Sequence, residues 1–344
     1  MNTAATTSTS TVGAGSLTGS SSGPSSASGA LRGAGGGLVL DPPDATVFAP
    51  DLPHAFDTHR RPWTLPGGKK LAVSLLLHAP AYLDDVPDGA LKPQAMQGGV
   101  GRETGEPRHG QVARLSQWDF GLTVGIWRLL DIAGECGVPV AVALDAEGVQ
   151  RMPGLAGGVA ARADEVVVRG RAANVIVATG MDEDVERAYV AEARRAVEQA
   201  TGRTARGWFG PERGQSARTT ALLAEQGFTW FGDWPVDERP VVLEGASCGL
   251  VAVPHPLECE DLFSLYARGL GFRDFERVLD ATVDQLVADA DVVGARHLGL
   301  SWFGWVLGQA CFADVAERFL RRVAAHPDVL LATPGDVAAL AAAS

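Results

Sequence analysis

The chain has 344 residues, a net charge of -12 and four cysteines. That acidic balance argues against nucleic acid and anionic membrane as partners, since both carry charge of the same sign. No apolar run is long enough for a transmembrane helix, the N-terminus lacks a charged segment followed by an apolar one, and no two cysteines form a C-x-x-C pair; a cytoplasmic protein with reduced thiols is the expectation.

Residues 1 to 40 are mostly Ser, Thr, Gly and Ala, too polar and too small to bury a core, and are expected to be disordered. Residues 41 to 344 then form one domain, its first thirty residues a Pro-rich, polar wrap over the surface. The first core strand is Leu71 to His78, a nearly continuous apolar run of the fully buried kind, ending in Ala79-Pro80. Residues 84 to 114 are rich in Gly, Pro and charge, and so long a loop reads as a lid or flap. A helix is predicted from about Leu122 to Glu135, with Val124, Trp127, Leu130 and Ile132 as its apolar face and Gly137 past its end.

Val138 to Leu144 is the second strand, ending at Asp145, which can cap the short helix that follows. Glu165 to Val168 is the third, ending at Arg169. Asp182 is placed to cap a long helix through Ala200, with acids in its first turn where the helix dipole favours them. Trp208-Phe209 is a short aromatic strand closed by Gly210-Pro211. Ser216 can cap the helix after it, and Gly227 stands past that helix's end. Thr229 to Phe231 and Leu250 to Val253 are further strands, the first followed by Asp233 and Asp237 and the second by His255. Helices over Phe275 to Ala290, Phe312 to Ala325 and Asp336 to Ala342 enclose strands at His297 to Trp302 and Val329 to Ala332. Short strands alternating with helices predict an α/β fold, a distorted (β/α) barrel of about seven parallel strands. No G-x-G-x-x-G or G-x-x-x-x-G-K-[ST] follows a strand, and no cofactor is expected.

Several of these blocks resemble the polysaccharide deacetylase superfamily. They are Gly207-Trp208 through Pro211, Leu222-Leu223-Ala224-Glu225-Gln226-Gly227-Phe228, and Asp233-Trp234 with Asp237 and Pro240. The pattern is most similar to the metal-independent branch that holds allantoinase and cyclic imide hydrolases. Phe120-Gly121 before Val124-Gly125-Ile126-Trp127, Gly180-Met181-Asp182, and Gly308-Gln309 match the same branch in order. The resemblance covers residues 60 to 340 and implies a barrel that hydrolyses a C–N bond outside peptides. The chain also departs from the family. Pro80 and Ala81 stand where the family has an acid and a His, Arg169-Gly170 where it has His-Gly, and Phe303-Gly304 where it has His-Pro.

No two of the seven histidines lie three or four residues apart, so no metal site is expected, and a polysaccharide deacetylase with a His-pair metal centre is disfavoured. Asp233, Glu165 and Asp145 are the candidate catalytic acids, each at or just past a strand; capping or a buried ion pair is the structural alternative for Asp145 and Glu165. Arg169 could hold an imide or carboxylate bidentately. Trp208, Asp237, His78, His255, Trp302 and Phe303 complete the expected substrate-binding set, with an Asx turn as the alternative for Asp237 and a structural role for either histidine. Two expectations stand. One is a metal-independent hydrolase of a small cyclic amide, imide or ureide. The other is a catalytically degenerate relative that binds a ligand or partner. The expected partner is a small-molecule substrate, with a homo-oligomer possible as well.

Overall fold

The computed structural model describes residues 52–53, 61–84 and 112–344. The expectations for residues 1 to 40, for most of the 84–114 loop and for His54, His59 and His109 lie outside these.

Strand β1, Leu71–Ala79, is buried along its whole length. Helix α1, Val112–Phe120, passes through a π-helical turn at Gly121–Gly125 into α2, Ile126–Cys136. The expected helix start at Leu122 is therefore the middle of a longer, bulged element. The bulge sits where Gly125 meets the Gly304 carbonyl so closely that any Cβ would collide with it. Val124 faces solvent at this turn instead of joining the apolar face.

Next come β2 (Val140–Leu144), α3 (Ala146–Arg151), α4 (Pro153–Arg162) and β3 (Glu165–Val168). Helix α5, Glu183–Thr201, starts at Asp182, whose side chain accepts from the amides of Asp184 and Val185 as expected. It is followed by β4 (Gly207–Trp208), α6 (Thr219–Glu225) and β5 (Trp230–Phe231). Ser216 does not cap α6: its hydroxyl donates to Glu186 at 2.7 Å and accepts from the Arg218 amide at 3.0 Å. A hairpin of β6 (Val241–Val242) and β7 (Val251–Ala252) precedes α7 (Phe272–Val293), β8 (Arg296–Phe303), α8 (Ala313–Ala325), β9 (Val329–Leu331) and α9 (Pro334–Ala342).

One sheet runs β6-β7-β5-β4-β3-β2-β1-β8, with β9 beside the first residues of β1. Every pairing is parallel except that of β6 with β7. This is the expected distorted (β/α) barrel, with seven consecutive parallel strands from β7 to β8 and the antiparallel β6 added at one end. At the seam the His297 amide donates to the Glu238 carbonyl at 2.8 Å.

Side chains alternate across each strand, as the pleat requires. Leu71, Val73, Leu75 and Leu77 of β1, with Leu298, Leu300 and Trp302 of β8, join the helix-facing core with Phe275, Leu279 and Phe319. Burying each such side chain is worth about 1.5–3 kcal/mol. The other face fills the barrel: Ala72 and Leu76 meet Ala141, Ala143, Val167, Phe209, Trp230 and Val251. Trp230 needs room there, and Gly207 provides it, because a Cβ at Gly207 would lie 2.3 Å from the indole ring. The inward positions nearer the strand ends turn polar, with Ser74 bonded to His297 at 2.9 Å and His78 to Ser301 at 2.8 Å.

Candidate active site

Parallel strands all point one way, so their C-terminal ends share one face of the barrel. There β1 delivers His78, β3 delivers Arg169, β4 delivers Phe209, and β8 delivers Ser301 and Phe303. These side chains converge. His78 stacks on Phe303 at 4.5 Å and meets Phe209 edge-on at 4.6 Å. Arg169 lies over Phe303 at 5.5 Å and Arg213 over Phe209 at 5.0 Å. A cavity of about 310 Å³ opens above them, lined by Arg169, Phe209, Glu212, Arg213, Leu257, Glu260, Leu262, Phe263 and Phe303.

Hydrogen-bond chemistry fixes the protons. The Arg169 Nε–H can only donate, and it reaches His78 Nδ1 at 3.3 Å. His78 therefore carries its proton on Nε2 and donates to Ser301 Oγ at 2.8 Å; Ser301 in turn donates to Glu260 Oε2 at 3.3 Å. Glu260 closes the chain as the ion-pair partner of Arg213 at 2.7 Å, both largely buried. Burial first, then the positive charge of Arg169 and the nearby His255 and Arg213, holds His78 neutral far below the usual imidazole range.

Arg169 is the exception in this network. It is only 2 % exposed, and its Nη1 has no hydrogen-bond partner. Among the described residues no carboxylate lies within 4.0 Å of its guanidinium. A buried cation without a carboxylate in contact is costly, and what compensates it here is the hydrogen bond to His78, the Phe303 ring and the more distant charges of Asp145 and Asp233.

Two buried carboxylates brace the wall. Asp233 accepts from the Gly210 amide at 2.7 Å and from Gln215 Nε2 at 2.5 Å. Burial raises its pKa to about 6, against those hydrogen bonds and the charges of Arg213 and Arg169. Gly210 and Gln215 bracket Glu212 and Arg213, which both sit in the left-handed region at φ 51° and 55°. Non-glycine residues held there are strained, and Arg213 is pinned as well by its bonds to Glu260 and to the His255 carbonyl at 3.0 Å. Asp145 caps α3 through the Gly148 amide and also accepts from the Ala81 amide, each at 2.7 Å. Its pKa is pushed up to about 7, chiefly by burial.

The expected set divides. Arg169 and Phe303 line the cavity, and His78 lies directly beneath them. Asp233 and Asp145 stand behind the wall as anchors. His255 is buried within the barrel, its Nδ1 donating to the Val253 carbonyl at 2.9 Å and its ring 5.6 Å from Phe209. The other four lie away from this cavity. Glu165 sits at the opposite, N-terminal end, where its oxygens accept from Trp230 Nε1 at 2.7 Å and the Gly335 amide at 2.9 Å. Its own cavity of about 510 Å³ is the larger one, yet both carboxylate oxygens are spent on structural bonds. Trp208 and Trp302 point outward, because each is one residue out of phase with its inward neighbour. Trp208 packs on Tyr189 and Phe228, and Trp302 on Phe319. Asp237 forms a turn, accepting from the Glu238 and Arg239 amides at 2.8 and 3.1 Å.

The sequence reading missed Phe209, Glu212, Arg213, Glu260 and Ser301. Counting the pleat outward from Gly207 would have placed Phe209 inward. Nothing local marks Glu212 and Arg213, whose positive φ follows from tertiary anchors. Asp261 is also fully buried, accepting from the amides of Leu262, Phe303 and Leu307 at 2.8, 3.1 and 3.0 Å. Among the described residues no three His, Cys, Asp or Glu side chains cluster as a metal would require, and no helix is long and apolar enough to cross a membrane.

The same architecture occurs in solved structures. The probable polysaccharide deacetylase of Pseudomonas aeruginosa PAO1 superposes with a TM-score of 0.68 at 23% identity, covering 80% of this chain and 92% of that one. PuuE allantoinase gives 0.70 at 22% identity over 89% and 99%. A Mycobacterium smegmatis protein also named for polysaccharide deacetylase gives 0.67 at 22% over 81% and 93%. These likenesses establish the fold. No protein-family model matches the sequence, and no curated protein does.

Proposed function

We propose that this barrel, which has the fold of polysaccharide deacetylases and PuuE allantoinase, is a hydrolase of C–N bonds other than peptide bonds, acting without a metal on a small cyclic amide, imide or ureide. The observation that carries the proposal is Arg169, a buried guanidinium whose Nη1 is unpartnered at the wall of a small-molecule cavity. A group so placed is suited to the oxygen of a carbonyl that turns into an oxyanion, because it is desolvated and aimed before the reaction begins.

The chemistry proceeds in two steps. Water attacks the ring carbonyl carbon while Glu212 accepts its proton, and negative charge collects on the carbonyl oxygen beside Arg169. Collapse of that intermediate breaks the C–N bond, and the proton held by Glu212 passes to the departing nitrogen, giving a ring-opened carboxylic acid. Glu212 takes this role because it lines the same cavity as Arg169, on a strained backbone held by flanking anchors. His78 orients Arg169 and stays neutral, so it adds no competing positive charge.

One observation favours a second reading, a ligand-binding protein without turnover. The acids beneath and behind the cavity, Asp145 and Asp233, are fully occupied by structural hydrogen bonds. Incubation with a panel of cyclic imides and ureides, read as ring-opened acid, separates the two. Turnover that falls about a hundredfold or more in Glu212→Gln supports the hydrolase, on the usual scale of a general base. Binding with no product from any member of the panel favours the second reading.

A further inference from the structure

Two buried Ser–His pairs bridge β1 and β8 inside the barrel, and their surroundings differ. Nearer the N-terminal end, Ser74 of β1 meets His297 of β8 at 2.9 Å, and the other ring nitrogen of His297, Nδ1, has no partner. Nearer the cavity the two residue types change strands, and His78 of β1 meets Ser301 of β8 at 2.8 Å. This second pair is extended on both sides. Arg169 Nε donates to His78 Nδ1 at 3.3 Å, Ser301 Oγ donates to Glu260 Oε2 at 3.3 Å, and Arg213 Nη2 holds that same oxygen at 2.7 Å. The chain of bonds has one direction, because a guanidinium can only donate and an ion-paired carboxylate can only accept. His78 and Ser301 are fully buried, and the imidazole packs against the rings of Phe303 at 4.5 Å and Phe209 at 4.6 Å. Those rings offer it no hydrogen bond, so its orientation in its own plane rests on two nitrogens, one bonded to Arg169 and one to Ser301.

Resting on the hydrolase reading of this site, we propose that Ser301 is a positioning residue for that reaction: anchored by Glu260, it fixes the His78 ring and, through the ring, the guanidinium of Arg169. Ser301 is the acceptor for the His78 Nε2–H. Without the hydroxyl that buried N–H is left unmet, and the ring turns or admits a water, either of which loosens its hold on Arg169 Nε. Small displacements of a charged donor matter most where charge develops, at the oxyanion, and little to the neutral carbonyl before reaction. The effect therefore falls on kcat and spares KM. The Ser74–His297 pair bonds to no arginine, so its loss affects folding and not turnover.

The test uses the full chain and the member of the imide and ureide panel that the wild type turns over fastest. Ser301→Ala should lower kcat about tenfold to thirtyfold with KM within about twofold. Ser74→Ala loses a buried hydrogen bond of the same kind and should keep kcat within about twofold. Made on top of His78→Phe, Ser301→Ala should change kcat by less than about twofold, because the intermediary is already gone. Equal losses of kcat in Ser301→Ala and Ser74→Ala, or the same loss in both His78 backgrounds, would overturn the proposal and leave the hydrolase reading standing. A second readout needs no turnover. In nitrogen NMR of the full chain carrying isotope-labelled histidine, His78 is assigned by the signal missing from His78→Phe. Its ring should stay neutral with the proton on Nε2 between about pH 6 and 8. A proton on Nδ1, or a charged ring, would overturn the proposal whatever the activity. If no panel member is turned over, an Nε2 signal displaced in Ser301→Ala and undisturbed in Ser74→Ala upholds Ser301 as the holder of His78 while the hydrolase reading fails; a signal unmoved in both overturns the proposal.

Discussion

Asp233 gives the sharpest division between a proton acceptor and an anchor, because two substitutions separate the roles. Its two hydrogen bonds, to the Gly210 amide at 2.7 Å and to Gln215 at 2.5 Å, are of the charged kind, worth about 1.5–3 kcal/mol each. Burial outweighs them and leaves its pKa raised to about 6, so at neutral pH the carboxylate is the acceptor for both. Removing it strands the buried Gly210 amide, at a cost of about 1–3 kcal/mol. Holding Glu212 and Arg213 at positive φ costs about 1 kcal/mol each, so the anchor and the strain are of equal size. Asp233→Ala should therefore release the loop, lower stability in urea titration by about 2 kcal/mol and reduce kcat/KM by about thirtyfold. Asp233→Asn behaves differently. Its Oδ1 still accepts from Gly210, and the Gln215 amide can turn over to present Oε1, which has no partner now, to the new Nδ2. Stability should change by less than about 1 kcal/mol and kcat/KM by less than about fivefold. A loss of a hundredfold or more in Asp233→Asn at wild-type stability would refute this reasoning and make Asp233 the proton acceptor.

Other outcomes can be checked on the same variants and assays. Glu165→Gln should lower stability, because the N-terminal end loses its charged acceptor for Trp230 and Gly335, while KM stays at the wild-type value. Gly207→Ala should cost about 1–3 kcal/mol by overpacking against Trp230, read by thermal unfolding. Burial lowers the His297 pKa to about 3, so its stabilising contribution is present above the unfolded value near 6.5 and fades as pH falls through that value. Between pH 7.5 and 4.5 the wild type should thus lose about 2 kcal/mol relative to His297→Asn, and parallel pH curves for the two would contradict the neutral imidazole. Prolonged chelator treatment should leave activity intact, as the described residues offer no three-ligand cluster; loss of activity that zinc restores would count against a metal-independent site.

The barrel was legible because its strands are short apolar runs bounded by turn signals, and because Leu71–Ala79 is buried on both faces. Site residues at strand ends were legible in part. Arg169 and Phe303 follow β3 and close β8, and both line the cavity. Trp208 and Trp302 misled because an aromatic at a strand end draws notice whichever way it faces. The pleat settles the direction, and Phe209 and Phe303 are the inward residues. Glu165 misled for a different reason: it opens β3 and Arg169 follows its end, so the acid and the base of one strand serve opposite ends of the barrel. Glu212 and Arg213 carry no local signature, since their strained backbone is imposed by Asp233 and Glu260 from distant parts of the chain. Residues 121 to 125 show the same limit: their bulge answers the close approach of Gly304, a contact made only after folding.

The claim at the centre of this account is that Arg169, unpaired and buried, meets the reacting carbonyl. Its most direct test is kcat/KM of Arg169→Ala on a cyclic ureide turned over by the wild type, with and without added methylguanidine, in protein verified as folded by circular dichroism. The account predicts a loss of about a hundredfold to a thousandfold, the scale of a missing oxyanion donor, and partial recovery when methylguanidine fills the vacated space. Wild-type activity in the folded variant would contradict it.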